Sequence, residues 1–117
     1  MIAALQAAGF PGVEAGEGGV VHARLWSSSV EFTATPGADG WRLCLSWPLR
    51  ASAAQIEGWN AAHPQAPMDL YLGETRVSMI LAAHDAAALT DWAALAEAAV
   101  AECIRWRRAQ RAPGEGM

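Results

Sequence analysis

Three histidines, two cysteines and the arginines carry most of the chemistry that this sequence could perform. His22 falls in an alternating run, His63 behind a helical stretch, and His84 at the end of a strand-like one. None shares a motif with a serine, a cysteine or an acid, as a nucleophile and its general base would require. His84-Asp85 are adjacent, which on a turn reads as a solvated loop. No HxxxH, HExxH or paired-cysteine spacing occurs, so neither a metal site nor another cofactor is expected. Cys44 and Cys103 lie far apart and read as free, buried thiols. Gly16-Glu17-Gly18-Gly19 has the composition of a phosphate loop but not its setting. A phosphate loop follows a strand and opens a helix, whereas this segment opens a strand and reads as a hairpin turn. No catalytic motif is present, and the expectation is a protein that is not an enzyme.

Binding chemistry is better represented. Arg24, Arg42 and Arg76 each fall out of phase with the apolar residues of their strand, as does Ile80. Trp26 shares the polar phase of His22 and Arg24. It is either a strand-end residue covered by a neighbour or part of a contact surface. Together these five residues could receive an acidic segment of a partner protein, because guanidinium groups form forked bonds to carboxylates. The alternative is a solvated sheet face with cross-strand pairs such as Arg42 with Glu31. Arg105, Arg107, Arg108 and Arg111 crowd the end of the last helical stretch. They read as a solvated end matched to the helix dipole, and no nucleic-acid partner is expected.

The elements that must position these residues follow from periodicity. Residues 1–8 read as a short helix closed by Gly9, with Ile2, Leu5 and Ala8 on one stripe. From 13 to 49 the period is two. Val21, Ala23 and Leu25 alternate with His22, Arg24 and Trp26, then Val30, Phe32 and Ala34 with Glu31, Thr33 and Thr35. After the turn residues 36–40 comes the clearest strand, with Trp41, Leu43, Leu45, Trp47 and Leu49 in phase. Pro48 predicts that this strand frays or lies at an edge. Ser52-Ala53-Ala54-Gln55 fits a capping box and predicts a helix over 53–62, with Ile56 and Trp59 on its buried side. Met68, Leu70 and Leu72 form one apolar phase. Val77, Met79 and Leu81 form another, alternating with Arg76, Ser78 and Ile80. The longest helix is expected over 88–110, with Leu89, Trp92, Ala96, Ala99, Cys103 and Trp106 on one stripe.

The expectation is an α+β fold of order α-β-β-β(-β)-α-β-β-α. It comprises an antiparallel sheet of about five or six strands with helices on one face. One domain should span 1–112, with a frayed tail at 113–117.

This order resembles the YbjN-like bacterial family, whose fold is similar to that of class I type III secretion chaperones. The resemblance rests on WRLCLSWPLR at 41–50, IEGWNAAHP at 56–64 and DAAALTDWAALAEAAVAECIRW at 85–106. It implies a non-enzymatic domain, often a homodimer, tied to regulation or to holding a partner polypeptide.

Composition sets the outer bounds. The chain has 117 residues, a formal charge of −4, eight Arg and no Lys. The acidic balance argues against a dedicated nucleic-acid binder. No apolar run is long enough to span a membrane, the N-terminus does not read as a secretory signal, and a cytoplasmic location is expected. Alanine makes up 27 residues, concentrated in 51–66 and 82–101, where it favours helix and close packing. The reading is a protein–protein interaction or chaperone-like domain. The alternative is a small-molecule-binding or enzymatic domain with a pocket between the sheet and the last helix.

Overall fold

A computed structural model describes residues 1–82 and 85–115, with side chains described up to residue 111. His84 and residues 116–117 lie outside the described residues. The chain forms an α+β fold with a six-stranded antiparallel sheet. Helix α1 (Ile2–Ala7) precedes β1 (Glu14–Ala15), a short turn at Glu17–Gly19, β2 (Val21–Arg24), β3 (Glu31–Gly37) and β4 (Gly40–Trp47). Helix α2 (Ala53–Ala62) follows, then β5 (Met68–Tyr71), β6 (Glu74–Leu81) and α3 (Ala86–Glu115). The spatial order is β1-β2-β3-β4-β6-β5.

One sheet face is buried, as the alternation requires. Val21, Ala23, Leu25, Phe32, Ala34, Leu43, Leu45, Val77 and Leu81 join Leu5, Trp59 and the α3 stripe in a single core. Leu89, Trp92, Ala96, Ala99, Cys103 and Trp106 are all buried, which bears out the 3-4-3-4-3 spacing. Ala96 and Ala99 are small enough to bring α3 close to the sheet, while Trp92 fills the space beside Phe32, with ring centroids 5.6 Å apart. The capping box is formed: Ser52 Oγ accepts from the Gln55 amide at 3.1 Å, and Gln55 Oε1 accepts from the Ser52 amide at 2.9 Å. The glycine-rich turn joins β1 to β2 as a hairpin, its Gly16 amide donating to the Val20 carbonyl at 2.7 Å. Asp85 caps α3 by accepting from the Ala88 amide at 2.8 Å.

Several local expectations are corrected. Pro48 ends β4 but does not mark an edge, because β4 lies between β3 and β6. The chain leaves the sheet there and is hooked back by the buried Thr75. Its hydroxyl donates to the Leu49 carbonyl at 2.6 Å and accepts from the Ala51 amide at 3.1 Å. Of Met68, Leu70 and Leu72, only Met68 is buried. β5 is an edge strand, and Leu72 sits in its two-residue hairpin turn with φ +53°, 86% exposed. Ile2 is exposed at the sheet margin, whereas Phe10, absent from the sequence reading, is in the core. Helix α3 continues to Glu115, so the arginines from Arg105 to Arg111 precede its last turn rather than forming it. Cys103 is buried, but Cys44 is only partly so, being on the opposite phase of β4.

Candidate functional site

The uncovered sheet face is built by the residues out of phase with the core. The register places Arg24 opposite Glu31, Thr35 opposite Arg42, Arg42 opposite Ile80, Ser46 opposite Arg76, and Arg76 opposite Asp69. Four of the five expected contact residues, Arg24, Arg42, Arg76 and Ile80, therefore share this face. Trp26 does not. Its ring stacks on Phe10 at 4.7 Å between centroids, and Phe10 in turn packs edge-on against the core residue Phe32. The following Ser27 and Ser28 amides donate to the Glu97 carboxylate of α3 at 2.8 and 3.1 Å. The chain bends toward the helices after Leu25, which ends the alternation that would have put Trp26 beside the arginines.

The three arginines have separate environments. Arg76 is neutralised: its Nε and a terminal nitrogen donate to the two Asp69 oxygens at 3.0 and 2.6 Å, over the Tyr71 ring at 4.3 Å. The hydrogen bond from Arg76 is the largest influence on Asp69 and holds its carboxyl below the usual range; the same bond raises the Arg76 value. Arg24 donates to the Ser29 carbonyl at 3.1 Å and lines a separate basin with Gly12, Glu14, His22 and Glu31. His22 Nδ1 lies 3.0 Å from Glu31, so Glu31 faces His22 and Arg24. The expected Arg42–Glu31 pair is not formed, because the register puts Thr35, not Glu31, opposite Arg42. Arg42 has no ion pair among the described residues; its guanidinium reaches Ser78 Oγ at 3.4 Å.

Arg42 stands where two shallow basins meet. One, of about 220 Å³, is lined by Thr35, the 36–40 turn and Ile80. The other, of about 340 Å³, is lined by Thr33, Cys44, Ser46, Tyr71 and Arg76. Thr35 and Arg42 line both. Thr33, Thr35, Ser46 and Tyr71 were not singled out in the sequence. Their phase was readable, but their convergence depends on the pairing of β4 with β6 and of β6 with β5.

Protein-family models, curated proteins and solved structures give no match to this chain.

Other titratable groups are structural in their geometry. His63 closes α2, its amide donating to the Trp59 carbonyl at 2.8 Å and its ring 4.1 Å from that of Trp59. Burial pushes the Cys103 thiol up to about 11, with Glu102 adding to it, which leaves a poor nucleophile. Arg105 is held by a fork to Glu102. No group of three or more His, Cys, Asp or Glu among the described residues could hold a metal ion. No helix among them is long and apolar enough to cross a membrane.

Proposed function

We propose that this protein is a non-enzymatic interaction domain that holds a partner polypeptide on the open face of its sheet. The observation that carries this reading is Arg42, a cation in no ion pair among the described residues though near enough to Asp69 to lower its carboxyl, beside the 56% exposed Ile80 and on the same face as the exposed Tyr71. A charged group with an apolar neighbour is suited to an acidic segment of another protein. Against the small-molecule alternative stands the layer between sheet and α3. Trp92, Phe32, Leu43 and Leu89 fill it and are less than 2% exposed. The YbjN-like and secretion-chaperone-like affinity, a homodimeric state and a cytoplasmic location belong to the same proposal, which includes no membrane or nucleic-acid partner.

The direct test is Arg42→Glu. The side chain is exposed and its one hydrogen bond among the described residues is long, so melting should be unchanged while capture of the partner is lost. Capture equal to wild type would sink the reading. Light scattering should give twice 12.3 kDa, and a monomer at high concentration would remove the homodimer from it.

A further inference from the structure

Resting on the homodimeric part of the proposed reading, we infer that two copies lie antiparallel about a two-fold axis, the β5–β6 turn of each seated in an apolar groove at the far end of the other. The argument begins with Leu72. It holds a left-handed backbone that Asn or Gly adopts at less cost, and its side chain is almost wholly in water. Leu70 and Tyr71 beside it are also exposed. A residue that breaks two local rules, with so little of it covered by its own fold, points to a contact made outside that fold.

The groove that fits it lies at the opposite end of the molecule. β6 runs from Glu74 at the turn to Leu81, which pairs with Trp41. Beside Trp41, Ile2 and Ala3 of α1 and Val20 and Val21 after the glycine-rich turn line an open, apolar basin of about 350 Å³. Gly16 and Gly19 border it without side chains, which leaves room for a leucine. Burying Leu72 there removes apolar surface of both copies from water.

The two ends carry opposite charge. Thr75, at the start of β6, holds the Leu49 carbonyl, and Gln110 of α3 donates to the Arg50 carbonyl at 3.5 Å. The turn and the arginine-rich part of α3 therefore share one end. There Arg50 and the four arginines of α3 outnumber Glu57, Glu74 and Glu102, while Asp69 and Arg76 cancel each other. At the groove end, among the described residues, Glu17, Asp39, Asp85 and Asp91 outnumber Arg42 and the Met1 amine. An antiparallel pair sets the basic end of each copy on the acidic end of the other. It makes the contact twice, which closes the assembly at two.

The experiment follows the full 117-residue chain by sedimentation and backbone amide shifts from micromolar to millimolar concentration. Wild type should pass from 12.3 kDa to twice that mass. Leu72→Asn suits the turn and keeps the fold, and its dimer affinity should fall at least about tenfold. Ala3→Arg, at an exposed position on α1, fills the groove and should cause the same loss. Glu17→Arg should weaken the dimer at least about threefold. Isotope-labelled Leu72→Asn mixed with unlabelled Ala3→Arg retains one intact groove and one intact turn, so shifts should return at Val20, Val21 and Trp41 of the labelled copy. Melting of each variant is checked alongside. A silent mixture, an unchanged Glu17→Arg dimer, or masses that grow past the dimer overturn the inference. If Leu72→Asn or Ala3→Arg dimerises like wild type, the inference falls and the homodimer stands. If wild type stays at 12.3 kDa at millimolar concentration, both fall together.

Discussion

Glu97 offers the sharpest test of how α3 is tied to the sheet. Its carboxylate accepts from the Ser27 amide at 2.8 Å and the Ser28 amide at 3.1 Å, joining residues about 70 positions apart in the chain. The Ser28 and Ser27 side chains also hydrogen-bond this carboxylate, so Glu97→Ala removes the whole clamp from the helix side. Hydrogen bonds to a charged acceptor are worth about 1.5–3 kcal/mol each when water is excluded. Ser27 and Ser28 are exposed, and water can take over their amides in the variant. That reduces the expected loss for the pair to about 1–2 kcal/mol. For a chain of this length the corresponding fall in melting temperature is about 4–8 °C.

The pH dependence supplies an independent check. Burial raises the Glu97 value, but the hydrogen bonds from Ser28 and Ser27 outweigh it, and the carboxyl rests below its ordinary 4.5. The unfolded chain therefore takes up the proton first as pH falls. The stabilisation is complete above the unfolded value and is lost as pH drops through the folded one. The melting difference between wild type and Glu97→Gln should be constant from about pH 8 to pH 6 and shrink below about 4.5. Thermal denaturation followed by circular dichroism reads both quantities. A Glu97→Ala melting temperature within about 1 °C of wild type at neutral pH would refute the clamp. A Glu97→Gln difference that grows on acidification would refute the assigned sign.

Two further substitutions probe packing and backbone. Ala96 is fully buried between Trp92 and Ala99 on the α3 stripe, so Ala96→Leu should overpack the layer and destabilise by about 1–3 kcal/mol in denaturant titration; a neutral result would show that the helix and sheet are loosely fitted. Leu72 holds a positive φ of +53° beside Gly73 at +80°, a turn that favours Asn-Gly. Leu72→Asn should therefore raise stability by about 0.5–1 kcal/mol, and a lowered melting temperature would contradict the strain argument.

Much of the fold is local and was legible in the residues. The capping box at Ser52 and Gln55, the buried face of β4 and the six-residue stripe of α3 each follow from spacing within one element. Period also assigned Arg24, Arg42, Arg76 and Ile80 to the uncovered face, because a strand's two sides are fixed by alternation. Trp26 escaped this logic, since alternation holds only while the strand continues and β2 ends at Arg24. Leu70 and Leu72 carried an apolar phase that could not reveal that β5 lies at the edge, where α2 holds Met68 through Asn60 and Leu70 and Leu72 stay exposed. The partners of the arginines were equally hidden. Asp69 meets Arg76 and Thr35 meets Arg42 only through strand register, which is set when distant segments pair. The sequence by itself therefore determined the elements, their buried faces and the candidate residues. The tertiary structure alone decided which charges are satisfied and left Arg42 between two basins, because neutralisation depends on distances across strands that no single segment encodes.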